Sequence, residues 1–476
     1  MTSHDTSIAR APAGEPSHAS HRPRPCSARK KRIVGVDVAR GIAVVGMIGA
    51  HIGVTETFDW ARIETWADAV HGNSSILFAL IAGVSIALLT GGASRPSTNQ
   101  LAKFRLQLVG RAAVVFSIGV ALELLNSGIA VILAVYGLLF VAVIPFLRLQ
   151  TRSLFVLAGG LAILGPPLLE TLRLVSLQAT GPGLDLALFG TYPITVWLAL
   201  MLAGLAIGRC DLSSLRTAGT ILIGGITLAS GAFGLASAIS LQNGDSSSYA
   251  PRSETSTAES GGTGASVPIT DLANQALTCN VYPDKISICF PEGTPNPMEF
   301  GANTNPGAPY LDQLLSQDIP GQALAAMGKA GPHSGGTLEI LGSGGLAMAV
   351  LGACLVLGRF ARPILLPVAA LGSMPLTVYA LHVIAIVLAS GLDTDLLEGN
   401  RFWLILTLVL MVGAAIWSSA FGTGPLERLT KVAADAMALT PRPGVRTHRL
   451  GGPGNSVLRT ALAQPGVRGL GAGSGE

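Results

Sequence analysis

The chain has 476 residues, 49% of them hydrophobic and only 12% charged, with a formal net charge of +4 and a mean hydropathy of +0.54. The charged share is about half that of an ordinary soluble domain, which excludes a soluble globular protein. The continuous apolar runs exclude an alternating β-barrel pattern, so an all-α, polytopic membrane protein is expected.

Residues 1–32 precede the first apolar run and are rich in Pro, Ser and Arg, ending in RPRPCSARKKR. A polar stretch of this length is not a cleaved secretion signal; it reads as a disordered basic cytoplasmic tail that orients the chain and attracts anionic membrane lipid rather than nucleic acid. About ten apolar runs follow, near 36–54, 74–92, 109–126, 128–147, 153–170, 191–208, 217–240, 338–358, 364–390 and 402–422. The expected layout is helices 1–7 over 33–240, a loop insert over 241–336, helices 8–10 over 337–431 and a disordered tail over 432–476.

Charge orients this layout. Arg95, Lys103, Arg105, Arg111, Arg148, Arg152, Arg209, Arg216, Arg359, Arg362, Arg428 and Lys431 cluster on one side, while ETFDWARIETWAD and LDTDLLEGN fall on the other. Lys and Arg in short loops face the cytoplasm, so both termini are expected inside a bacterial plasma membrane and the 241–336 insert outside. In that insert, Cys279 and Cys289 of CNVYPDKISIC sit where an oxidising compartment lets them form a disulfide.

The first run, VDVARGIAVVGMIGAHIG, carries Asp37, Arg40 and His51. On a helix, Arg40 and His51 differ by about 20° around the axis and about 16 Å along it, and Asp37 lies on the same side. Such residues normally face a bundle interior or a wet cavity. An interfacial Asp37–Arg40 pair and a hydrogen-bonded outer histidine fit the spacing too. Elsewhere, Glu123 and Glu339 suit acceptor binding or interface solvation, and Tyr379 and His382 share a helix face as a polar wall or a packing pair. Arg209 suits phosphate binding or membrane anchoring. No zinc-ligand spacing, phosphate loop or nucleophile elbow is present, so no metal is expected.

The segments RIVGVDVARGIAVVGMIGAHIG, SSILFALIAGVSIALLTGG, LNSGIAVILAVYGLLF, TYPITVWLALMLAGLAIGR, PHSGGTLEILGSGGLAMAVLG, LGSMPLTVYALHV and GPLERL resemble, in this order, transmembrane acyltransferases related to heparan-α-glucosaminide N-acetyltransferase. The first helix also resembles the acyltransferase type 3 family, which places an arginine and a histidine eleven apart. The resemblance implies transfer of an acyl group from cytoplasmic acyl-CoA, acetyl-CoA in the first instance, to a hydroxyl or amine of an extracytoplasmic glycan, glycolipid or other envelope acceptor. It implies His51 as the catalytic histidine and Arg40 as the arginine of the same pattern; on their own positions in the apolar runs, Asp37 and Arg209 are expected with Arg40 toward the donor, and Glu123, Tyr379, His382 and Glu339 toward the acceptor. The heparan-type pattern, with its histidine in the first outer loop, implies His71 instead, so the assignment stays split with His51 preferred. A homodimer is left open. A transporter or lipid translocase using Arg40, His51, Glu123 and His382 without covalent chemistry is the alternative.

Overall fold

The computed structural model describes residues 32–52, 65, 72–126, 128–177, 181–242, 277–281, 287–291, 309–390 and 400–439, with the strands at 277–281 and 287–291 described as backbone only. The described residues are almost entirely helical. In chain order the helices are α1 (Val34–Ile52), α2 (Asn73–Leu89), α3 (Thr98–Glu123), α4 (Leu133–Ala142), α5 (Thr151–Val175), α6 (Ile194–Gly208), α7 (Leu215–Gln242), α8 (Tyr310–Leu315), α9 (Ile319–Gly328), α10 (Thr337–Phe360), α11 (Arg362–Gly372), α12 (Pro375–Ser390), α13 (Asn400–Phe421) and α14 (Pro425–Met437).

Each predicted apolar run contains helix, but not all of the expected ten or so crossings are matched by a full-length apolar helix among the described residues. Among the described residues, six helices, α1, α3, α5, α7, α10 and α13, are long and apolar enough to cross a membrane, and α11 with α12 makes a seventh bent by 68°. The remaining apolar helices, α2, α4 and α6, have 17, 10 and 15 residues, and at 1.5 Å per residue they fall short of a typical 30 Å hydrocarbon core. Proline explains two of the breaks. Pro375 lacks the N–H that would continue α11 into α12, and Pro145 sits in the tightened turn Ile144–Arg148 that ends α4.

Helix α1 is the central strut. It packs against α2, α10, α11, α12 and α13, and twelve of its nineteen residues are buried. Close approach is bought by glycine: a Cβ on Gly35 would meet Cys354 O, and one on Gly41 would meet the Val368 carbonyl, while Gly372 lies directly on the Asp37 carbonyl. The α2–α6 pair uses the same device, with Gly83 on Met201 O and Gly204 on Leu80 O. Between apolar helices in lipid, this backbone contact supplies the van der Waals packing that a hydrophobic driving force cannot.

The 241–336 insert departs from a featureless loop. Strands β1 (Leu277–Val281) and β2 (Ser287–Pro291) pair antiparallel, with Cys279 opposite Cys289 in the register. Helix α9 folds back onto α5, and Tyr310 Oη donates to the Val175 carbonyl at 2.8 Å.

Candidate active site

A cation in an apolar helix must be matched locally, because its transfer from water is costly. Arg40 shows how this is done. Its Nη1 donates to Asp37 Oδ1 at 2.9 Å and to the Gly372 carbonyl at 2.9 Å, and its Nη2 donates to Ser85 Oγ at 2.8 Å. Asp37 also approaches Arg32 Nε at 3.5 Å. The Gly372 acceptor exists because α11 ends there, so the proline break downstream frees a carbonyl for the arginine.

The other side of the break is closed by Glu427, from GPLERL. Its carboxylate accepts from Leu376 N at 2.8 Å, Thr377 N at 3.1 Å and Thr377 Oγ1 at 2.6 Å. It therefore caps the N-terminus of α12, where free N–H groups and the helix dipole favour an anion. This role was not read from the sequence, although GPLERL carries it.

Between these clamps lies a cavity of about 270 Å³. Its polar wall includes Arg40, Ser85, Arg111, Tyr136, Glu427 and Thr430, and its apolar wall includes Phe78, Leu108, Leu133 and Phe140. Arg111, which sequence reading assigned only to orientation, is thus a site residue. A charged residue in the middle of α3 was the available signal.

At the far end of α1, His51 meets His382 of α12, with ring centroids 5.7 Å apart and planes inclined by 11°. Tyr379, one turn before His382, packs edge-on against it at 4.7 Å. Tyr379 and His382 are fully buried, and neither ring nitrogen of His382 finds a hydrogen-bond partner among the described residues. Buried polar nitrogens are nearly always satisfied, which makes His382 a candidate ligand-facing group. The helical rise puts His51 about 16 Å from Arg40 along α1.

The remaining expected site residues lie elsewhere. Arg209, buried after α6, donates to the carbonyls of Gly92 and Ser94 at 3.0 Å and Leu147 at 3.1 Å and to Thr90 Oγ1 at 3.0 Å. Burial, then the charge of Arg95, lowers its pKa from the ordinary arginine value. The structure makes it a staple for the turn after α2, apart from the Arg40 cavity. Glu339 is likewise occupied, accepting from His333 N at 2.6 Å, Gly335 N at 2.7 Å and Ser334 Oγ at 3.0 Å. It holds the turn in which His333 and Gly335 take positive φ. Glu123 is exposed at the end of α3. His71 lies outside the described residues, as do the Cys279 and Cys289 side chains. Among the described residues, no group of His, Cys, Asp or Glu is gathered to hold a metal ion.

Residues 32–227 match the family model described as heparan-alpha-glucosaminide N-acetyltransferase, catalytic, and residues 324–436 match the model described as protein of unknown function (DUF418). No curated protein and no solved structure matches the chain. The candidate site draws on both matched segments: Arg40, His51, Ser85, Arg111 and Tyr136 lie in the first, and Tyr379, His382 and Glu427 in the second. Over residues 32–227 the chain is therefore similar to the catalytic part of the heparan-α-glucosaminide N-acetyltransferase family.

Proposed function

We propose that the protein transfers an acyl group, acetyl in the first instance, from cytoplasmic acyl-CoA to a hydroxyl or amine of an envelope glycan, glycolipid or related acceptor on the opposite membrane face. The observation that carries this reading is the pairing of His51, on the central helix α1, with His382 of α12, while the other end of α1 lines a cavity that also holds two arginines. The family match supplies the reaction class.

The chemistry asked of each group is modest. A neutral His51 imidazole takes the proton from the attacking hydroxyl or amine, the acceptor adds to the thioester carbonyl, the C–S bond breaks, and the proton passes to the departing coenzyme A sulfur. Alternatively the imidazole attacks the thioester first and passes the acyl group on, which divides one transfer into two. His382, 5.7 Å away, is suited to hold the acceptor or to share the proton, and Tyr379 fixes its ring. Cations at the cavity end suit the donor phosphates, and a separation of about 16 Å along the helix suits a long thioester arm.

Comparative mass spectrometry of envelope glycans and lipids, with and without the gene, tests this reading. It predicts a species heavier by one acyl group that disappears with the gene. Identical profiles, together with membranes that leave acetyl-CoA intact, would overturn it in favour of transport.

A further inference from the structure

The two guanidiniums of the cavity are in unlike states. Arg40 is closed by Asp37, the Gly372 carbonyl and Ser85. Arg111, midway along α3, has a buried Nε with no hydrogen-bond partner, and no hydrogen bond or ion pair from any described residue reaches its guanidinium. The carboxylate on the cavity wall, Glu427, already accepts three hydrogen bonds from Leu376 and Thr377. Asp435 of α14 attracts Arg111 through space and accepts from Gln107 Nε2 at 3.3 Å. The cavity thus holds a cation with unused donors beside an apolar wall.

We propose that Arg111 is the anion-binding residue of this cavity, taking the phosphate of an amphiphilic ligand whose less polar part lies against Phe78, Leu133 and Phe140. Arg40, with three of its five N–H donors engaged by Asp37, the Gly372 carbonyl and Ser85, is a positioning residue that fixes the α1–α2–α11 wall around it. A planar fork with free N–H groups in a poorly hydrated site binds phosphate strongly and directionally. Two sources present this chemistry, the phosphates of an acyl-CoA donor and the headgroup of a membrane phospholipid. The donor source rests on the acyl-transfer reading; the lipid source does not.

The test uses the full-length protein in nanodiscs containing anionic phospholipid, comparing wild type with Arg111→Gln and Arg111→Lys. One arm measures kcat/KM for acetyl-CoA relative to acetyl-pantetheine, which carries the thioester without phosphates, together with direct coenzyme A binding. A second arm measures by mass spectrometry the anionic phospholipid that remains bound after detergent extraction. For a donor phosphate, Arg111→Gln lowers the acetyl-CoA preference by about tenfold or more, mainly through KM, and Arg111→Lys recovers part of it. For a lipid headgroup, the donor preference and coenzyme A binding hold, while retained anionic lipid falls in Arg111→Gln and partly returns in Arg111→Lys. The proposal is overturned if neither coenzyme A binding nor lipid retention changes, or if both donors lose the same factor with no loss of lipid. Should wild type use neither thioester, the acyl-transfer reading fails, while coenzyme A binding and lipid retention still decide the role of Arg111. If Arg111→Gln does not fold, Arg111→Lys carries the same comparisons.

Discussion

At the scale of single residues, charged and polar groups in this bundle divide into those consumed by the fold and those left for a ligand. Arg209 and Glu339 belong to the first kind, since each ties several backbone groups of a tight turn. Replacing Arg209 by Met would strand buried carbonyls, so the purified protein should lose roughly 1–3 kcal/mol, read as a lower thermal midpoint in detergent; an unchanged midpoint would show that water replaces the guanidinium. His382, whose ring nitrogens have no hydrogen-bond partner among the described residues, belongs to the second kind. His51→Ala should leave donor binding intact and lower transfer by about 10²–10⁴. If His71→Ala abolishes transfer while His51→Ala keeps near-normal turnover, the loop histidine is the base. The sequence made Asp37, Arg40 and His51 legible as one helix face, because their spacing is intrinsic to the helix. It could not reveal that His51 meets His382, which lies far along the chain, nor that the acceptors of Arg209 are backbone carbonyls of a distant turn.

At the scale of elements, broken and short helices shape the site. The Ser373–Met374 break exposes the Gly372 carbonyl to Arg40 and the N-terminus of α12 to Glu427. Glu427→Gln keeps the shape but removes the charge that faces the helix dipole, and one amide oxygen cannot replace both carboxylate oxygens. It should destabilise the protein by about 1–2 kcal/mol, seen as a lower thermal midpoint, and weaken transfer by misplacing His382; a normal midpoint with normal kcat would show that the cap is dispensable. The apolar run at 364–390 was legible as membrane helix, yet its fold into two pieces was not, because proline near the middle of a run also occurs in straight or gently kinked helices. Likewise, glycines in the apolar runs are visible in the sequence, but the backbone groups they lie against are not. Gly204→Leu would drive a side chain into the Leu80 carbonyl and should abolish a stably folded α2–α6 pair, measured as loss of monodisperse protein after extraction.

At the scale of the whole molecule, the lipid-adapted composition made an all-helical membrane fold legible, whereas the number of full crossings depends on helix lengths that hydropathy alone leaves loose. The β1–β2 pairing sets Cys279 opposite Cys289, and residues directly opposite in an antiparallel pair lie about 4.5–5.5 Å apart at Cα, within disulfide reach. If the insert lies outside as the charge pattern predicts, the two thiols should label in intact cells only after reduction, and a reporter placed within 245–330 should be exposed there. Labelling without reductant would show that no bridge forms. The central claim is that this bundle performs acyl transfer through the α1–α12 histidine pair. The most direct measurement is the fate of radiolabelled acetyl-CoA incubated with membranes containing wild type or His51→Ala, together with an envelope extract as acceptor. The account predicts that wild type releases coenzyme A and moves label into a glycan or lipid fraction, and that His51→Ala loses both. Thioester left intact by wild type, or label transferred equally well by the variant, would contradict it.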